Sequence, residues 1–343
     1  MSEKIAVLGS GTWGAVLAKY LCEQGKNVQM WSYSERTAND ISNLHKINRT
    51  GFEDIVLPSN LKAYTSAEYV LKDADAVVST IVSHGLREFL RETKQYWPKD
   101  VRLLSTTKGL EVDSGKRMSE VFLEELEIEK SQIAILSGPN LAIDVARNLP
   151  VVTTVAAYDR DTAVFFQKLF CSKTFRVYTN DDVVGVELNG AMKNVIAIAA
   201  GICYGMGLGE SIRAGITARA MHEIWRISDK MGADLKTSMG IAGIGDIILT
   251  STARTSRNHK FGERIGRREN IKEIISDSSA VAEGKNAVAA IHNLSKKYDL
   301  KTPICEAVYR IINEELSLDE AIEYLLARPE LPEFDESYNL SFL

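Results

Sequence analysis

Four cysteines and five histidines among 343 residues give this chain little with which to build a metal cage or a disulfide framework. Cys22, Cys171, Cys203 and Cys305 stand far apart with no C-x-x-C, and the histidines are equally dispersed. The cysteines therefore read as buried thiols of a reducing compartment, and no metal is expected. An excess of one charge is missing too: 41 Lys and Arg against 46 Asp and Glu leave a net charge of −5. With no long acidic or basic tail, that balance gives no case for nucleic acid as a partner. The apolar stretch from Val195 to Met206 is too short and too broken by glycine to span a bilayer, so no stable membrane association is expected. Met-Ser-Glu-Lys passes straight into an apolar run, which predicts no signal peptide and a cytoplasmic protein.

What is present suffices for a large core, since 45% hydrophobic residues over this length predict two domains. Lys4-Ile-Ala-Val-Leu8 reads as a buried parallel strand. It runs into Gly9-Ser-Gly11-Thr-Trp-Gly14, a G-x-G-x-x-G, and then into apolar residues at helical spacing that stop at Gly25. At a strand–helix junction this pattern predicts a dinucleotide site. Gly9 allows the tight turn, Gly11 lets the backbone approach a pyrophosphate, and Gly14 lets helix and strand pack closely. The helix start adds unpaired N–H groups and a favourable dipole. The next strand ends at Ser32-Tyr33-Ser34, where an NAD-selective site usually carries an acid for the ribose 2′-hydroxyl. Glu35 comes late, with Arg36 behind it. Two serines and an arginine favour a 2′-phosphate slightly, hence NADPH over NADH; Glu35 turned inward would serve NAD instead.

Strand-like runs at 74–82, 101–107, 132–136, 151–155 and 174–178 alternate with amphipathic segments at 85–96, 115–126 and 161–170. That alternation implies α/β architecture: a Rossmann-type, doubly wound, mainly parallel sheet over residues 1–183. From there the periodicity is helical almost to Arg328, so residues 184–328 are expected to form an all-α substrate domain. The acidic, proline-broken tail 329–343 is expected to be loose.

Lys193 sits in a nearly uncharged run, Val186 to Met206, with Asn189, Gly190, Ile196 and Ala197 one helical turn away. Such surroundings lower a lysine's pKa toward the range of proton exchange with a substrate, unless the side chain snorkels to water. Four more clusters offer polar groups. Thr106-Thr-Lys108 and Ser137-Gly138-Pro-Asn140-Leu-Ala142 each follow a strand, at the carboxyl edge where ligands of this architecture bind. Gly243-Ile-Gly-Asp246 sets one carboxylate between glycines and an apolar run. Ser256-Arg257-Asn258 lies in a basic stretch with Arg254, Arg264, Arg267 and Arg268. Each has a plainer reading: a solvated strand-end lysine, a turn asparagine, a helix-capping aspartate, a charged helix face.

Taken together and in order, these clusters resemble NAD(P)-dependent glycerol-3-phosphate dehydrogenase of the bacterial type. The carriers include Gly9 to Gly14, Lys108-Gly-Leu110, Ser137-Gly-Pro139, Gly185 to Asn194, Gly245-Asp246, Ser256 to Asn258 and Val281-Ala-Glu283-Gly284. The resemblance implies interconversion of sn-glycerol 3-phosphate and dihydroxyacetone phosphate, feeding phospholipid synthesis. It implies Lys193 as the proton acceptor, with Asp246 and Lys108 beside it in the catalytic set. Substrate contacts would fall on Lys108, Gly138, Asn140, Lys193, Asp246, Ser256, Arg257 and Asn258. Dinucleotide contacts would fall on Thr12, Trp13, Tyr33, Lys108, Ala142, Arg257, Val281 and Glu283. A homodimer is the expected assembly. The chain departs from the family pattern at Asn140 (usually Ser), Val82 (usually Pro), Ser211 (usually Asn nearby) and Ala218-Arg-Ala220 (usually Thr-Arg-Gly). Two rivals stay open here: a related dehydrogenase acting on a carboxylate, and a dinucleotide sensor without turnover.

Overall fold

The computed structural model describes residues 3–253, 255–276, 279–329 and 332–333, without the side chains of 279–282. In the first half every strand is followed by a helix. The order is β1 (Lys4–Leu8), α1 (Thr12–Glu23), β2 (Asn27–Trp31), α2 (Glu35–Ser42), β3 (Lys62–Tyr64), α3 (Ala67–Leu71), β4 (Ala76–Ser79) and α4 (Ser83–Thr93). There follow β5 (Arg102–Ser105), α5 (Met118–Glu125), β6 (Ile133–Ser137), α6 (Ala142–Ala146), β7 (Val151–Ala157), α7 (Arg160–Phe170) and β8 (Phe175–Asn180). These strands form one sheet in the order β3-β2-β1-β4-β5-β6-β7-β8. The chain winds outward from β1 to β3 and returns beside β1 at β4, which makes a crevice above the carboxyl ends of those two strands. The alternating sequence periodicity found seven of the eight strands. It missed β3, whose three residues are too few to show a period, and it could not show that β7 runs antiparallel to β6. β8 pairs parallel with β7, so the last two strands oppose the first six.

After Asn180 the described chain is helical: α8 (Val183–Gly205), α9 (Glu210–Lys230), α10 (Leu235–Ser238), a π-helical turn (Ile241–Gly245), α11 (Asp246–Thr252) and α12 (Arg257–Gly266). α13 (Ile271–Ser276), α14 (Ser279–Lys297), α15 (Pro303–Ile312) and α16 (Leu318–Leu326) complete it. Most of the tail expected from residue 329 lies outside the described residues. By length and composition α8 would pass for a membrane span, but 89% of its apolar window is buried inside the protein. It is the core helix of this half, apolar on all sides because neighbours cover all sides.

α8 meets α12 backbone to backbone. A Cβ built on Gly201 would lie 2.1 Å from the carbonyl oxygen of His259, and one on Gly205 2.1 Å from that of Glu263. From the other side, a Cβ on Gly262 would lie 2.1 Å from the Ile198 oxygen and one on Gly266 2.3 Å from the Ile202 oxygen. Helices with ordinary side chains pack with axes about 8–10 Å apart; here four glycines remove the spacer, and the seam sets where α12 begins relative to Lys193. Gly262→Ala should therefore lower unfolding free energy by about 1–3 kcal/mol through overpacking. Gly215→Ala on α9, where a Cβ meets nothing within 4 Å, should be neutral or slightly stabilising. Urea unfolding of both variants checks this; a Gly262→Ala protein as stable as the parent would contradict the seam.

Candidate active site

The turn from β1 to α1 has the geometry its glycines call for. Gly9 has φ +106°, a conformation open to glycine, and a Cβ there would sit 2.6 Å from Thr80 Oγ1. Thr80 braces the turn by donating to the carbonyls of Leu8 and Gly9 at 2.9 and 3.0 Å. A Cβ on Gly14 would lie 2.0 Å from the Gly9 oxygen, whereas one on Gly11 would meet nothing within 4 Å. Gly11 thus opens onto free space at the start of a 12-residue helix with no side-chain cap, which fits a pyrophosphate. Thr12 and Trp13 are half-buried in the first turn, and Trp13 packs on the same core as Ala142 at the start of α6.

At the end of β2, Tyr33 stands 91% exposed. The two serines beside it are less available than the sequence suggests. Ser32 is fully buried, its hydroxyl donating to the Ser34 carbonyl at 3.0 Å and touching Ser10 Oγ at 2.7 Å. Ser34 caps α2 by accepting from the Thr37 N–H at 3.4 Å. Of the groups read as suited to a 2′-phosphate, the exposed Arg36 is left, with exposed Glu35 beside it.

The centre of the site is one buried carboxylate between two ammoniums. Asp246, fully buried at the junction of the π-helical turn and α11, accepts from Lys193 Nζ at 2.5 Å on Oδ1 and from Lys108 Nζ at 2.6 Å on Oδ2. Lys193 also donates to Thr250 Oγ1 at 3.0 Å, and Lys108 to the Gly138 carbonyl at 2.9 Å. Thr250 gives its own proton to the Asp246 carbonyl at 2.7 Å, so its oxygen is free to accept from Lys193. The sequence reading put Lys193 among uncharged neighbours on its own helix; the fold supplies charge from the loop after β5 and from α11. Desolvation lowers the Lys193 pKa to about 8; Asp246 opposes that fall and Lys108 adds to it. Burial pushes Asp246 the other way, but the two lysines outweigh it and hold its carboxyl below the usual range. Gly190 lets α8 come this close, since a Cβ there would lie 2.7 Å from Ser137 Oγ and 3.8 Å from Lys108 Cγ.

Beside this cluster, Asn140 donates from Nδ2 to Thr153 Oγ1 at 2.9 Å, and its own N–H is spent on the Gly138 carbonyl at 2.8 Å. That N–H is therefore not among those free to hold a ligand at this loop. Ser256 caps α12 through the His259 N–H. Arg257, half exposed in the first turn, pairs with Glu283 on α14 at 3.3 Å. Asn258 lies against Gly284, where a Cβ would fall 2.4 Å from Asn258 Oδ1. No hydrogen bond joins Ser256, Arg257 or Asn258 to the lysine–aspartate cluster; the α8–α12 seam relates the two. Arg264, Arg267 and Arg268 are spent on Glu269, Glu263 and Asp319, so that part of the basic stretch is a charged face. Arg254 and the Val281 side chain lie outside the described residues. Sequence reasoning missed Thr250 and Thr153. The first was detectable four residues after Asp246 on a helix; the second carries no local signal.

Residues 4–163 match the family model for the N-terminus of NAD-dependent glycerol-3-phosphate dehydrogenase, and residues 182–323 that for its C-terminus. The chain is 39% identical to glycerol-3-phosphate dehydrogenase (NAD(P)+) of Leptospira biflexa, covering 95% of this chain and 98% of that one. The chain belongs to this family. It is also 40% identical to the enzyme of the same name from Corynebacterium glutamicum, over 94% of this chain and 98% of that one. A crystal structure of glycerol-3-phosphate dehydrogenase from Coxiella burnetii superposes with a TM-score of 0.89 at 32% identity, over 95% of this chain and 99% of that one. The family membership makes the charge balance at Asp246 the property to measure. Lys193 should titrate near pH 8. Because Asp246 favours its charged form, Asp246→Asn should move that titration lower still. NMR of 13C-labelled lysine Cε across pH reads both; a normal lysine titration in the parent would contradict the buried pair.

Proposed function

We propose that this protein interconverts dihydroxyacetone phosphate and sn-glycerol 3-phosphate with NAD(P)H and so supplies glycerol 3-phosphate for phospholipid synthesis in the cytoplasm. The observation that carries the reading is the pair of lysines on one buried carboxylate. An ammonium has three N–H donors. Lys193 commits two, to Asp246 and Thr250, and Lys108 commits two, to Asp246 and Gly138. Each has one left, and two such donors aimed at a carbonyl oxygen would stabilise the charge that develops there. A sensor without turnover needs no such arrangement. The bound dinucleotide supplies the hydride to C2. Lys193 would hold the proton that the resulting alkoxide takes, and would act as base in the reverse direction. Its pKa near 8 suits both directions close to neutral pH. Lys108 would bind and polarise, and Asp246 would keep both ammoniums charged and aimed.

We assign the phosphate to Ser256, Arg257 and Asn258 at the start of α12, with Arg257 and Glu283 also reaching the dinucleotide. A substrate phosphate rather than a carboxylate is favoured by that segment and by the names of the relatives. Residues 1–183 would then serve as the dinucleotide-binding domain and 184–328 as the substrate domain. For cofactor choice, NADPH over NADH now rests on exposed Arg36, since Ser32 and Ser34 are engaged elsewhere.

In a spectrophotometric assay with dihydroxyacetone phosphate, NADH and NADPH should both be oxidised. Lys193→Ala should cost about a hundred- to ten-thousandfold in turnover while leaving cofactor binding largely intact. Wild-type turnover in that variant would sink the mechanism. NADPH should have at least the kcat/KM of NADH, and Arg36→Ala should weaken NADPH alone by about 1.5–3 kcal/mol, the worth of a charge-assisted contact. A strong NADH preference relaxed by Glu35→Ala would reverse the cofactor assignment.

A further inference from the structure

Asn140 is a departure from the family pattern, and its hydrogen bonds settle which way its amide faces. Thr153 Oγ1 donates its single proton to the Ser137 carbonyl at 3.0 Å. Its oxygen can then only accept, so the Asn140 group 2.9 Å away must be the NH2. The rotation that is ordinarily ambiguous for an asparagine is fixed by its neighbour. Oδ1 is thereby turned away from Thr153; it is buried and has no hydrogen-bond partner. A buried acceptor without a donor is costly, which marks a place for a ligand's donor.

We propose that Asn140 Oδ1 accepts a hydrogen bond from the free hydroxyl of the three-carbon substrate, and that Thr153 is the positioning residue that presents it. The proposal rests on the reaction assigned above. Two residues before Asn140, the Gly138 carbonyl holds Lys108, which shares Asp246 with Lys193. A substrate whose carbonyl oxygen meets those two lysines carries its free hydroxyl on the next carbon, with the hydroxyl oxygen three bonds from the carbonyl oxygen. The phosphate at the opposite end is assigned to α12. An acceptor on the 138–140 loop therefore suits the hydroxyl, while the lysines, as donors, suit the carbonyl.

Three variants and two substrates test this: Thr153→Val, Thr153→Ser and Asn140→Ala, each assayed with dihydroxyacetone phosphate and with its analogue lacking the free hydroxyl. Thr153→Val removes the acceptor that orients the amide, so kcat/KM for dihydroxyacetone phosphate should fall about tenfold, the loss of roughly one hydrogen bond. Thr153→Ser keeps the hydroxyl and should restore the parent value. On the deoxy analogue the parent and Thr153→Val should be alike, and Thr153→Val should add nothing in an Asn140→Ala background. Equal losses on both substrates would mean a merely structural threonine and would overturn the proposal. A loss confined to the KM of the dinucleotide would overturn it too, by giving Oδ1 to the cofactor's carboxamide. If the parent turns over neither substrate, the assigned reaction itself fails, which is a separate outcome from an active parent indifferent to Thr153.

Discussion

A carboxylate with no exposure to water dictates how this molecule is put together. Stripping Asp246 of solvent is expensive unless cations and hydrogen bonds replace what water gave. Its two oxygens take those cations from opposite halves of the sequence: Lys108 in the loop after β5, and Lys193 on the core helix of the C-terminal half. Removing either lysine leaves an imperfectly paired buried charge, so sheet and helices are tied by the same ions that are proposed to meet the substrate. The exchange also works on the lysines. Burial lowers Lys193 to about 8, a value that an exposed lysine would not reach and that a fully unpaired one would overshoot.

Such proximity needs room, and glycine provides it. Gly190 admits Lys108 and Ser137 to the face of α8; Gly201 and Gly205 admit α12 about three and four turns farther on. Two features built from different parts of the chain, the lysine proposed to exchange a proton and the segment assigned to the phosphate, are thus held together by one tight seam, Lys193 on α8 and Ser256 to Asn258 at the start of α12 packed along it. Binding the non-reacting phosphate could then fix the reacting carbon, because no soft joint lies between them.

How much of this was legible before the fold was known follows from the range of each interaction. The nucleotide turn was fully readable, because Gly9, Gly11 and Gly14 act on residues within a few positions of one another. The alternation of strands and helices, and the switch to helices near Val183, came from periodicity alone. Lys193 drew attention through only half of what surrounds it. Its own helix is uncharged, but the environment that tunes it arrives from 53 and 85 residues away, as the numbering of Asp246 and Lys108 shows. Ser32 misled for the opposite reason. A hydroxyl at the correct position in the chain says nothing about whether a neighbour has already claimed it. The basic stretch divided along the same line: Arg267 meets Glu263 at ordinary helical spacing, whereas the carboxylates beside Arg257 and Arg268, Glu283 and Asp319, come from distant helices that no spacing rule would supply.

Threonine hydroxyls are the common device by which these distant pieces are oriented. Near the ends of strands and helices, a carbonyl that already accepts one backbone N–H keeps a second lone pair for a side-chain donor. Thr80 answers Leu8 and Gly9, Thr106 answers Ser79, Thr107 answers Ile81, Thr153 answers Ser137, and Thr250 answers Asp246. In each case the side chain gives away its one proton to the backbone. What it keeps is an oxygen that can only accept, and that single polarity is then imposed on whatever stands beside it. Thr250 imposes it on an ammonium and Thr153 on an amide. A serine could do the same chemistry, but threonine's branched carbon has fewer rotamers, so the lone pair is aimed as well as supplied. Backbone carbonyls at the carboxyl edge of the sheet, fixed by the fold itself, thereby become the reference points against which the site's donors and acceptors are oriented.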